Sequence, residues 1–125
     1  MTPLEEQFEV LRSYVPNATR EQLADGTFLI TVPAVKLPHG WSKQNVDVKF
    51  VVPAGYPFAK LDCFWTDPDL RLATGGNPTN TGSNAIPHVA LPHLWFSWHV
   101  GTWNPNCDSL LTYFYVIKRR LSDPR

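Results

Sequence analysis

The chain of 125 residues lacks a charge excess, a long apolar run and a cysteine framework. Its 11 basic and 11 acidic residues cancel, so the composition does not predict a partner rich in phosphate or anionic lipid. No stretch approaches the roughly 20 apolar residues of a membrane span, and the start, MTPLEEQFEV, does not resemble a secretion signal. Two cysteines, Cys63 and Cys107, suit a reducing compartment as free thiols. We therefore predict a cytoplasmic protein that binds neither nucleic acid nor membrane.

The length favours one compact core, and no linker divides the chain, so residues 1–125 are predicted to form a single domain. A first helix is indicated by Thr2 as N-cap and Pro3 at the first helical position. For a last helix, Asn106 or Asp108 is the predicted cap. The apolar positions that indicate this last helix are Leu110, Phe114, Ile117 and Leu121.

Between the two helices, alternating apolar residues predict about four antiparallel strands. The Asp25-Gly26 pair is a hairpin signal between the first two strands. Alternation at Val46, Val48, Phe50 and Val52 indicates the third strand. The fourth strand is predicted to place Leu61, Cys63 and Trp65 on one face, which would bury Cys63 in the core. The fold class is therefore α+β.

A stretch rich in Gly, Pro, Asn and Thr runs from residue 67 to about residue 92. It reads DPDLRLATGGNPTNTGSNAIPHVALP and is predicted to be a long ordered loop or a mobile flap, a kind of segment that is usually functional. Asn77, Asn80 and Asn84 within it are candidate oxyanion donors, since one amide directed at a tetrahedral oxygen contributes roughly 3 kcal/mol. Asparagines in such loops also simply form turns.

The order of these elements resembles the ubiquitin-conjugating enzyme fold. Tyr56-Pro57-Phe58 matches its Tyr-Pro-Phe turn, and Trp103-Asn104-Pro105 matches its Trp-Ser-Pro-like turn before a helix. More closely, FWTDPDLRL and WFSWHVGTWNPNCDSLLTYFYVIKRRL resemble the bacterial branch called prokaryotic ubiquitin-conjugating family E. Its signature, Trp-x-x-Ser-x-His followed by Trp-x-Pro and Asp, is matched by Ser97, His99, Trp103, Pro105 and Asp108, with Trp95 one residue closer to the serine.

The resemblance implies a carrier enzyme without a cofactor of its own. Such an enzyme accepts a ubiquitin-like protein from an activating enzyme and passes it to a protein substrate, and a deconjugating peptidase can belong to the same pathway. The chain departs from the eukaryotic type, which has a His-Pro-Asn motif and a catalytic cysteine about eight residues before the tryptophan. Eight residues before Trp103 stands Trp95, and the nearest nucleophilic side chain is Ser97.

Two residues compete as the acyl acceptor. In an extended segment Ser97 and His99 share a face, so His99 can act as general base for an ester intermediate. Cys107 is the rival, because the first turn of a helix, where it is predicted, favours a thiolate. In the alternative interpretations Ser97 and His99 are structural, and Cys107 is a small buried hydrophobe.

The remaining candidates have structural alternatives as well. Asp108 either caps the last helix or holds His99 in one tautomer, as the third group of a triad does. Trp95, Trp98 and Trp103 are core residues or a partner-binding hot spot. The spacing of the histidines fits no metal site. Two other functions stay open: a catalytically inactive module that binds ubiquitin-like proteins, and a serine hydrolase.

Overall fold

The structure, a computed structural model, describes residues 2–98 and 101–125. The described part of the chain forms an α+β unit with one helix near each end and a six-stranded antiparallel sheet between them. In chain order the elements are α1 (Pro3–Tyr14), β1 (Thr19–Gln22), β2 (Phe28–Lys36), β3 (Asn45–Val52), β4 (Phe64–Thr66), β5 (Thr81–Gly82), β6 (Leu94–Phe96) and α2 (Leu110–Leu121).

The strand order in the sheet is β1-β2-β3-β4-β6-β5. The first four strands lie side by side in chain order. After β4 the chain forms the edge strand β5 and then returns, so that β6 lies between β4 and β5. The sequence predicted about four strands and missed these two. With two and three residues respectively, β5 and β6 are too short to show an alternating pattern.

The predictions for the start of α1 and for the first hairpin are confirmed. The Oγ1 atom of Thr2 accepts a hydrogen bond from the amide of Glu5 at 3.1 Å, and Pro3 is the first residue of α1. In the loop between β1 and β2, Gly26 has φ +87°, which only glycine adopts without strain. The Asp25 carboxylate accepts from the Thr27 amide at 3.0 Å and fixes this turn.

Both faces of the sheet are covered. Ile30, Phe50 and Phe96 belong to the large core that also contains the buried faces of α1 and α2. On the opposite face a smaller cluster consists of Leu23, Leu29, Trp65 and Ile86, of which Ile86 comes from the irregular segment. That segment therefore covers part of the second face of the sheet.

The fourth strand differs from its prediction. Only residues 64–66 are in the ladder, so the period of two does not extend back to Leu61. As a result Leu61 lies in the large core, while Cys63 and Trp65 pack in the smaller cluster on the other face. The prediction of one shared face was wrong for Leu61, because alternation holds only where the backbone is extended and paired.

The cap of α2 is Ser109, and the prediction of Asn106 or Asp108 was wrong. The Ser109 hydroxyl accepts from the Thr112 amide at 3.3 Å, and the Thr112 hydroxyl accepts from the Ser109 amide at 2.7 Å. This reciprocal pair is a capping box made with threonine in place of the usual Glu or Gln. The two predicted caps lie three residues and one residue before the observed cap.

Replacing Ser109 with alanine is expected to lower the free energy of unfolding by about 1 kcal/mol, because an amide at the start of α2 loses its acceptor. Chemical denaturation measures the change. Asn106→Ala is the matched control and is expected to stay within about 0.5 kcal/mol, as exposed positions usually do. Equal losses in the two variants would contradict the assignment of the cap.

Candidate functional site

Ser97 lies directly after β6, at the point where the pairing of β6 with β5 ends. Its amide donates to the main-chain oxygen of Asn80 at 2.8 Å, and the ladder continues with Thr81 opposite Phe96. Asn80 itself has φ +60°, the left-handed conformation that asparagine tolerates better than most residues. The half-buried Ser97 is thus held at a strand end by the segment predicted to be a flap.

Of the three asparagines proposed as oxyanion donors, the structure brings Asn80 next to Ser97. Its main-chain oxygen makes the contact. Asn84 lies toward the opposite end of β6, where its main-chain oxygen accepts from the Trp65 indole at 2.6 Å. Asn77 is exposed and lies three residues before Asn80. An oxyanion role therefore stays a prediction for all three, and Asn80 is the one whose main chain contacts Ser97.

On the other side of Ser97, the chain is fixed by Trp98. The Trp98 main-chain oxygen accepts from the buried Tyr113 hydroxyl at 3.1 Å. The guanidinium carbons of Arg120 and Arg125 lie 5.3 Å and 5.5 Å from the Trp98 ring, within cation–π distance. The position of Ser97 is consequently determined by contacts on both of its neighbours in the chain.

Arg120 is the cation at the centre of this arrangement and is 2% exposed. Its terminal nitrogens donate to the main-chain oxygens of Thr79 (3.0 Å), Asp123 (2.9 Å) and Arg125 (2.9 Å). Burial lowers the pKa of this guanidinium, and the charge of Arg125 acts in the same direction. Arg120 ties α2 to the residues just before Asn80 and so braces the irregular segment against the helix.

The two turns that carried the family resemblance touch each other. The Trp103 indole donates to the main-chain oxygen of Pro57 at 2.7 Å, and its ring lies 5.8 Å from that of Tyr56. The Tyr56 hydroxyl donates to the side-chain oxygen of Gln7, which also accepts from the Leu110 amide at 3.1 Å. Burial raises the pKa of Tyr56 far above its usual value, and the charge of Asp108 adds to this. These contacts join both turns to the helices.

Cys107 is neither in the first turn of α2 nor buried, so both predictions of its location were wrong. It is exposed and lies three residues before Leu110, where α2 begins. Its amide donates to the Asn104 main-chain oxygen at 3.0 Å, in a turn that closes before the helix starts. Cys107 is thus accessible, and it lies outside the helical turn whose dipole was expected to favour a thiolate.

Asp108 stabilises the turn before α2. One carboxylate oxygen accepts from the Asn104 amide at 2.8 Å, and the other lies 3.5 Å from the Thr112 hydroxyl. Asp108 was also predicted to orient His99. His99 lies outside the described residues, so its roles as base for Ser97 and as partner of Asp108 stay predictions.

The tryptophans proposed to bind partners are all half-buried. Trp95 packs on the smaller cluster beside the half-buried Cys63. Burial raises the pKa of the Cys63 thiol, and the indole N–H of Trp95 acts in the opposite direction. A more exposed aromatic residue was missed: Phe58 is 82% exposed and is the last residue of the turn that contacts Trp103. Its place in the Tyr-Pro-Phe motif was noted, but a sequence pattern does not report exposure.

The described residues form neither a metal-binding cluster nor a membrane-spanning helix. In the described ranges no group of three or more His, Cys, Asp or Glu side chains is arranged to hold a metal ion. One imidazole, that of His88, instead lies 3.5 Å from the Asp25 carboxylate. Neither helix of residues 2–98 and 101–125 is long and apolar enough to cross a bilayer.

A sheet with a helix near each end, a Tyr-Pro-Phe turn and a Trp-x-Pro turn is consistent with an E2-like fold. A family model described as prokaryotic E2 family E matches residues 9–123. The chain belongs to this family, and the resemblance found in the sequence is confirmed. The family associates the chain with ubiquitin-like conjugation and with its general partners, a ubiquitin-like protein and an activating enzyme. No curated protein and no solved structure was found to match.

Proposed function

We propose that the protein is a conjugation carrier that accepts a ubiquitin-like protein on Ser97 as an oxyester and transfers it to a protein substrate. The observation that supports Ser97 most is its placement at the end of β6. The Asn80 main chain holds its amide, and the anchored Trp98 follows it. A reacting group needs this kind of fixed position, because misplacement by about 1 Å can cost 100-fold in rate.

The proposed chemistry is two successive acyl transfers. The Ser97 oxygen attacks the carboxyl-terminal carbonyl carbon of the ubiquitin-like protein, which arrives as a thioester on its activating enzyme. The hydroxyl proton passes to a base, for which His99 is proposed, and the thiolate of the activating enzyme leaves. An amine of the substrate then attacks the ester, and Ser97 regains its proton as the new amide forms. No cofactor takes part, and Asn80 is the proposed source of an oxyanion donor.

Cys107 is the second candidate for the acceptor, and its exposure favours it. Cys107 is exposed to solvent, whereas Ser97 is half-buried, and a thiol is intrinsically a stronger nucleophile than a hydroxyl. An acyl group on Cys107 would be a thioester. The two candidates therefore predict bonds of different chemical stability.

The test is reconstitution with ATP, a ubiquitin-like protein and its activating enzyme from the same genome, followed by intact-mass analysis under denaturing conditions. The wild type is expected to carry one adduct that withstands thiol reductant and is cleaved by mild alkali. Ser97→Ala is expected to lose it, and Ser97→Cys to carry it in a reductant-sensitive form. Cys107→Ala is expected to keep it.

The matched control is Ser83→Ala, an exposed serine in the irregular segment, which should keep the adduct. Loss of the adduct in Cys107→Ala alone, with sensitivity to reductant, would transfer the role to the thiol. If the activating enzyme is charged and binds the chain but no variant gains mass, the protein is a binding module and the proposal fails.

A further inference from the structure

Three of the five large hydrophobic side chains that are exposed in the described part of the chain lie on α1 and α2. They are Val10 (49% exposed), Tyr14 (63%) and Tyr115 (47%). The rings of Tyr14 and Tyr115 are 6.4 Å apart and meet edge to face, so the two helices share one outward surface. A cluster of this kind is characteristic of an interaction site rather than of scattered surface residues.

The charges along this surface are separated by sign. Gln7, in the first half of α1, contacts the first residue of α2, and Tyr14, the last residue of α1, contacts Tyr115. The two helices therefore run in broadly the same direction. Glu6 lies one turn before Val10 on α1, whereas Lys118 and Arg119 follow Tyr115 on α2. We name this surface, with its acidic end, apolar centre and basic end, the two-helix face.

A surface with an acidic end, an apolar centre and a basic end is complementary to the same surface of a second copy. A two-fold rotation places the apolar centre of one chain against the apolar centre of the other when its axis lies in the interface, passes through that centre and is perpendicular to the line from the acidic end to the basic end. The same rotation places the acidic end of each chain against the basic end of the other, which lowers the electrostatic energy. We propose that the two-helix face is the interface of a homodimer and that the partner is a second copy of this chain.

The expected affinity follows from the small number of apolar side chains. Three exposed residues per chain form a patch at the low end of specific interfaces, so we expect a dissociation constant of about 10–100 μM. The apolar centre supplies most of the binding energy, while the exposed charges supply orientation and sensitivity to salt. This proposal does not depend on the acceptor chemistry at Ser97.

Sedimentation equilibrium of the chain alone tests the dimer. At low salt and about 100 μM protein, the mass is expected to rise from the 14.2 kDa of one chain toward twice that value, and to fall again at about 0.5 M salt. Tyr115→Glu is expected to give a monomer. A wild type that stays monomeric at this concentration, or a Tyr115→Glu variant that still dimerises, would overturn the proposal.

Charge reversal tests the orientation. Glu6→Lys makes both ends basic, and Lys118→Glu combined with Arg119→Glu makes both ends acidic. Each variant alone is expected to weaken self-association at least 10-fold, while a 1:1 mixture is expected to form a heterodimer. Lys60→Glu and Glu21→Lys, exposed and outside the two-helix face, are the controls and should dimerise as the wild type does. No gain on mixing would contradict the pairing of the acidic end of one chain with the basic end of the other.

Discussion

Replacing Arg120 with alanine is expected to lower the free energy of unfolding by about 4 kcal/mol, among the largest effects of any single change in this protein. The variant loses the donors of three partly buried hydrogen bonds, to the main-chain oxygens of Thr79, Asp123 and Arg125. It also loses the stacking of the guanidinium on the rings of Trp41 and Phe96, 5.8 Å and 5.3 Å away. Chemical denaturation followed by circular dichroism measures the change.

Arg12→Ala is the matched control for this prediction. Arg12 is exposed and forms a 3.5 Å ion pair with Glu9, which is exposed as well, so its loss is expected to cost less than about 0.5 kcal/mol. If Arg120→Ala does not fold, Arg120→Lys keeps a charge but cannot reach all three oxygens, and it should be intermediate. If Arg120→Ala lowers the free energy of unfolding as little as Arg12→Ala does, the hydrogen bonds and ring contacts of Arg120 make no net contribution to stability.

Replacing Phe96 with alanine is expected to cost about 4 kcal/mol, the usual range for removing a buried phenyl ring. Phe96 is fully buried, and its ring is stacked on that of Phe64 with centroids 4.6 Å apart. It is also the last residue of β6 and precedes Ser97. The cavity would therefore weaken both the core and the support of the proposed acceptor.

Phe58→Ala removes the same side chain from an 82% exposed position, and its cost is expected to stay below about 0.5 kcal/mol. Denaturation curves of the two variants give the comparison directly. Phe96→Leu serves where the alanine variant does not fold, with an expected smaller loss of about 1–2 kcal/mol. A Phe96→Ala variant as stable as Phe58→Ala would contradict the packing described here.

The sequence predicted those parts of the fold whose signals are local. Thr2 and Pro3 indicate the start of α1, and Asp25-Gly26 indicates the first hairpin, because caps and tight turns depend on a few adjacent residues. Strands β5 and β6 give no such signal. Thr81 and Gly82 are extended only because β6 offers them main-chain partners from a distant part of the sequence.

For the candidate site, the family motif identified the segment that contains Ser97, but it did not predict the contacts that hold this segment in place. The pattern around Ser97 and Trp103 led to the correct family, since short motifs preserve the order of residues. It could not show that Arg120 reaches Thr79, 41 positions away, or that Cys107 precedes the helix. Distances of this kind arise from packing, which a local pattern does not encode.

The covering of the second face of the sheet has a consequence for how the chain can vary. Between residues 83 and 93 the irregular segment forms no strand, and Ile86 is its fully buried contact with the smaller cluster. Most positions of this stretch can therefore change in composition with little loss, whereas Ile86 tolerates only side chains of similar volume. Homologues should accordingly differ here in almost every residue and still keep one aliphatic side chain at this point.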